Sequence, residues 1–67
     1  MSEAITYRVP EIHCAHCELS IREEVSEVEG VEAVDVDLDA KEVTIRGREL
    51  SDERLRAAIE EAGYRAA

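Results

Sequence analysis

Between positions 34 and 39 the chain reads Val34-Asp35-Val36-Asp37-Leu38-Asp39, a strict alternation of aliphatic and carboxylate side chains. Neighbouring side chains of an extended strand point to opposite faces, so this stretch predicts a strand with an apolar inner face and an acidic outer one. Val31 leads into it. Just downstream, Val43 and Ile45 alternate with Glu42, Thr44 and Arg46. A tight turn around Asp39, Ala40 and Lys41 should pair the two strands as a hairpin.

The hairpin must bury its apolar face, and the flanking segments supply the cover. Ile5, Tyr7 and Val9 alternate with Thr6 and Arg8 as another strand, which Pro10 should stop because proline cannot continue a ladder. From about Ala15 to Val28, Ile21, Val25 and Val28 recur at helical spacing while Arg22, Glu23, Glu24 and Glu27 face away. Gly30 is expected to end that helix. After a loop from Gly47 to Leu50, Ser51 is a good N-cap, Asp52 and Glu53 occupy the first turn, and Leu55, Ala58, Ile59 and Ala62 form a buried stripe. Gly63 closes this second helix, and Tyr64 to Ala67 suffice for a short fourth strand at most. The predicted fold is α+β: a ferredoxin-like βαββαβ sandwich with a four-stranded antiparallel sheet and two helices on one face. At 67 residues, positions 1–67 form a single domain with a modest core.

Seventeen acidic side chains against eight basic ones give a net charge of −9. That balance repels nucleic-acid phosphates and anionic lipid surfaces, leaving cations or proteins with a basic patch as the expected partners. The start has no basic stretch followed by an apolar run, and nowhere do eighteen apolar residues stand together. No membrane insertion is expected, and the location is expected to be cytoplasmic. The start Met1-Ser2 and the lack of a trailing linker point to a free-standing protein. So short a chain has little bulk for a substrate and a catalytic apparatus, so it is not expected to be an enzyme.

The chemistry is concentrated in Glu11-Ile12-His13-Cys14-Ala15-His16-Cys17, which holds the chain's two cysteines and two histidines. Thiols three positions apart can turn their sulfurs to one point and hold a soft metal ion. The competing structural reading makes Cys14 and Cys17 small buried hydrophobes, but a core does not ordinarily draw every Cys and His into one loop. Reduced cytosolic thiols in this pattern are metal-binding or redox-active rather than a structural staple. Cys17 falls in the first turn of a helix, which favours the thiolate that binds metal.

The order of elements over nearly the whole chain, together with Cys14-x-x-Cys17 in the first loop, resembles the heavy-metal-associated domain family of small copper chaperones and metal-pumping ATPase modules. Members usually read Met-x-Cys-x-x-Cys, which carries the metal ligands over to Cys14 and Cys17. Ile12 stands at the methionine position as an apolar loop anchor without the thioether. Gly63-Tyr64 is similar to bacterial copper-chaperone-like members, in which the tyrosine packs near the metal; otherwise Tyr64 reads as an aromatic capping the core. The resemblance implies a Cu(I) metallochaperone that hands its ion by thiolate exchange to a metal-transporting ATPase or similar acceptor with a basic docking surface. It would be a monomer without metal, with a metal-bridged dimer open to it once loaded.

The histidines depart from the family pattern. His13 stands where Thr or Ser is common, and His16 lies inside the C-x-x-C. Either could supply a third ligand and shift selectivity away from Cu(I), and the alternative reading is a Zn(II), Cd(II) or Hg(II) module with His13 or a nearby carboxylate such as Glu11 completing the shell; equally, both rings could be exposed and only tune the thiols. A thiol–disulfide oxidoreductase is the reading from another class. Against it, the chain is shorter than a thioredoxin and lacks the flanking Trp and Pro. Glu18 after Cys17 fails the haem-attachment pattern.

Overall fold

The alternating segments do become strands. The computed structural model describes residues 3–67, in the order β1 (Glu3–Arg8), α1 (Ala15–Ser26), β2 (Val31–Asp37), β3 (Glu42–Gly47) and α2 (Asp52–Glu61). Both β1 and β2 pair antiparallel to β3, giving the order β1-β3-β2. The two outer strands are therefore parallel with β3 between them, and α1 connects them as a split βαβ unit.

Register places the apolar residues in rows. Tyr7, Val43 and Val36 stand side by side, as do Ile5, Ile45 and Val34. These rows meet Ile21 and Val25 of α1 and Leu55, Ala58 and Ile59 of α2 in one core, with α1 packed against both β2 and α2. The opposite sheet face is polar: Thr6 Oγ1 lies 3.1 Å from Thr44 Oγ1, and Arg46 pairs with Asp35 at 3.6 Å. Two helices on an antiparallel sheet match the expected sandwich.

The expected fourth strand is not formed. Residues 64–67 follow α2 without strand pairing, and one backbone bond, from Ala67 N to Arg8 O at 2.7 Å, ties them to the free edge of β1. A single rung lacks the repeated exchange that makes a ladder, so among the described residues the sheet has three strands. The end of α1 also differs. The helix stops at Ser26, and Glu27 N and Val28 N turn back to Glu24 O and Val25 O at 3.3 and 3.0 Å in tighter, three-residue bonds. Gly30, at φ +93, instead shapes the turn into β2, where its carbonyl accepts from Arg48 N at 2.9 Å.

Two carboxylates tie the sheet to its surroundings. At the β2–β3 turn, Asp37 Oδ1 accepts from Asp39 N and Ala40 N, both at 3.0 Å, and Lys41 takes a left-handed φ of 57. On β1, the Tyr7 ring is in the core as expected, but its hydroxyl donates to Asp52 Oδ1 at 2.6 Å. Burial first, then that carboxylate, pushes the phenol up to about 12. Among the described residues no helix is long and apolar enough to cross a membrane.

Candidate metal centre

The loop from β1 to α1 is held from below and from the side. Val9 and Ile12 are both wholly buried, and Ile12 N donates to Val9 O at 3.2 Å across the Pro10-Glu11 turn. Lys41, on the hairpin, accepts from Val9 N through its carbonyl at 2.8 Å and donates from Nζ to Ile12 O at 2.8 Å. Ile12 is thus both buried and tied through its backbone to Val9 and Lys41.

Cys14 is the N-cap of α1, extended at φ −150 and ψ 165, and its side chain makes no capping bond. Its carbonyl begins the helix by accepting from Glu18 N at 3.2 Å, which leaves the sulfur free to turn toward Cys17 one turn on. The two Sγ atoms stand 3.2 Å apart, neither in a disulfide. Cys14 is half-buried, whereas Cys17 is only 6% exposed.

The Cys17 thiol is pulled from about 9 down to about 6. The Tyr64 hydroxyl is the largest cause, followed by the His13 backbone N–H and the Cys14 side chain, while burial opposes them. The same contact and burial push Tyr64 up to about 12. Tyr64 arrives there because Gly63, at φ +95, folds the chain back at the end of α2, with Tyr64 N donating to Ile59 O at 3.1 Å. The lowered thiol agrees with the expectation from the helix start, but its first source lies across the fold.

The histidines remain apart from the sulfurs. Both rings are exposed, and His13 Nδ1 lies 2.8 Å from the Glu11 carbonyl, which can only accept, so that nitrogen carries the proton. Among the described residues, no set of three or more His, Cys, Asp and Glu side chains is gathered as metal donors would be. The chain itself therefore offers a two-sulfur site, beside a cleft of about 500 Å³ lined by Glu11, Glu60, Gly63, Tyr64 and Arg65. Sequence reasoning missed Lys41. It is the only lysine in the chain, but nothing in the local pattern says that its ammonium reaches a residue 29 positions earlier.

The family model for the heavy-metal-associated domain matches residues 6–65. The chain belongs to that family. This heavy-metal-associated domain is 34% identical over 65 residues to the mercuric transport protein periplasmic component of Pseudomonas fluorescens, covering 94% of this chain and 71% of that one. It is 33% identical over 63 residues to heavy metal-associated isoprenylated plant protein 31 of Arabidopsis thaliana, covering 94% of this chain but only 45% of that protein. Among solved structures, the copper chaperone Atx1 from Synechocystis PCC6803 superposes with a TM-score of 0.81 at 35% identity, over 94% of this chain and 98% of that one. A copper-binding domain from HMA7, a P-type ATPase, gives 0.88 at 26% identity, over 100% and 92%. Membership identifies this chain as a binder of soft heavy-metal ions.

Proposed function

We propose that this heavy-metal-associated domain is a Cu(I) carrier, using Cys14 and Cys17 as its two ligands and passing the ion to an acceptor by thiolate exchange. The observation that carries this reading is the pair of sulfurs 3.2 Å apart with no third donor gathered beside them among the described residues. Soft thiolates and a low coordination number suit Cu(I), whereas Zn(II) ordinarily takes four donors. A thiol lowered to about 6 is largely thiolate at neutral pH, so the ion meets little competition from protons.

An ion held by two sulfurs can accept a third from a partner's matching loop, so it moves without being released. The proposed acceptor is a metal-transporting ATPase or a comparable protein with a basic docking surface, which the −9 net charge would steer toward encounter. The likeness to a P-type ATPase domain supports this pairing. The carrier works in the cytoplasm, where thiols stay reduced. It is a monomer without metal and has no catalytic role of its own.

A second ion has its own support. Hg(II) is also soft, and the bacterial relative at 34% identity is a mercuric transport protein. A competition titration of the reduced protein with Cu(I), Hg(II) and Zn(II) decides among them. Tight one-to-one Cu(I) uptake that Zn(II) cannot displace, lost when Cys14 and Cys17 are both replaced by serine, is the expected result. Unchanged uptake in that double variant would remove the site, and preference for Hg(II) over Cu(I) would change the cargo.

A further inference from the structure

Lys41 has three properties that a surface lysine does not need. It is the chain's only lysine, it occupies a left-handed backbone position that favours Gly or Asn, and it holds the metal loop at two points. Its carbonyl takes Val9 N and its ammonium takes Ile12 O, each at 2.8 Å. The second contact is charge-assisted and partly buried, which makes it one of the stronger kinds of hydrogen bond.

The carbonyl of Ile12 and the N–H of His13 are opposite ends of one peptide group. A cation on the carbonyl oxygen draws electron density across the amide and makes its N–H a better donor, the cooperative strengthening known for chained hydrogen bonds. The Lys41 ammonium on the Ile12–His13 peptide forms a polar connection from the hairpin to the residue preceding Cys14. Like the groups that orient metal ligands in other sites, it fixes direction as well as charge.

We propose that Lys41 is a positioning residue of the metal centre, clamping from the hairpin the loop that carries Cys14 and Cys17. This rests on the two-thiolate reading of the site. Lys41→Met keeps most of the apolar stem and removes the ammonium, and Lys41→Arg keeps a cation. Asp37→Ala serves as the control: it removes the bonds to Asp39 N and Ala40 N, loosening the same hairpin without touching the loop.

Cu(I) affinity is measured against a chromophoric chelator for all three variants, with urea unfolding alongside. Lys41→Met should weaken Cu(I) binding about tenfold, the lower end for loss of a group that orients a ligand. Lys41→Arg should recover most of it, and Asp37→Ala should keep wild-type affinity. Wild-type affinity in Lys41→Met, or an equal loss in Asp37→Ala, overturns the proposal. If the wild-type protein takes up no Cu(I), the carrier reading fails instead, and the clamp is then decided without metal. Amide hydrogen exchange at His13 that accelerates in Lys41→Met but not in Asp37→Ala supports it, and unchanged exchange in Lys41→Met overturns it.

Discussion

The sulfurs of Cys14 and Cys17 are closer together, at 3.2 Å, than a bound ion would leave them. With metal–sulfur bonds of about 2.3 Å, that separation fixes the angle at the metal near a right angle, whereas an open two-coordinate site needs the sulfurs about 4 Å apart or more. Loading must therefore spread them by about 1 Å. Cys14 is the freer of the two, since its side chain caps nothing and is half-exposed, while Cys17 is buried beside Tyr64. The χ1 angle of Cys14 is expected to change on Cu(I) binding while Cys17 and Ile12 stay in place, which NMR coupling constants of the free and loaded forms would check.

Without metal, the two Sγ atoms stand within hydrogen-bonding distance of one another, at 3.2 Å. Cys17 should show a thiolate ultraviolet absorbance with a midpoint at about 6, and Tyr64→Phe should move that midpoint upward because the Tyr64 hydroxyl is its largest support. A midpoint unmoved in Tyr64→Phe would mean that the His13 N–H and Cys14 carry the effect instead.

The same shift ties stability to pH. Cys17 loses its proton at about 6 when folded and near 9 when unfolded, so between those values the unfolded chain binds more protons and stability rises with pH. This contribution is complete above about 9 and is lost as pH falls through about 6. Urea midpoints measured across that window should climb in the wild type and be flatter in Cys17→Ser.

The legibility of each feature in the sequence depends on how local its signal is. The hairpin, both helices and the two thiols are written in spacings of two, three or four residues, and they appear where those spacings put them. A fourth strand is too much to ask of Tyr64 to Ala67, because the segment itself says nothing about how many rungs the edge of β1 will supply; it supplies one, at Arg8. Gly30 looks like a helix stop in the sequence, but its positive φ serves the approach to Arg48. Tyr64 beside Cys17 and Lys41 on Ile12 are contacts between residues far apart in the chain, the second across 29 positions. Family likeness points to Tyr64, whereas nothing short of the fold points to Lys41.

Ile12 marks how the metal loop depends on the core. It is wholly buried, and Ile12→Ala should cost about 2–5 kcal/mol, a large part of the roughly 3–10 kcal/mol expected for a chain this size. Ile12→Met conserves volume and should cost less than about 1.5 kcal/mol. Because position 12 points into the core, the added thioether cannot reach the ion, so Cu(I) affinity in Ile12→Met should equal that of the wild type. Urea unfolding and chelator competition on the two variants test both statements.

The histidines give the sharpest separation between ions. His13 is held by its Nδ1 contact to Glu11 O at 2.8 Å, His16 is exposed, and neither joins the sulfurs in a donor set. A ligand lost from a soft-metal site would weaken binding by orders of magnitude, whereas an exposed ring nearby changes only the local charge, and salt screens that. His13→Ala and His16→Ala should therefore leave Cu(I) affinity within about threefold of the wild type, a difference of about 0.7 kcal/mol. Zn(II) should bind weakly to all three proteins, because none supplies the four donors it prefers. A loss of Zn(II) affinity confined to His13→Ala would instead show that the ring swings in to complete a divalent site, and would shift the cargo away from Cu(I).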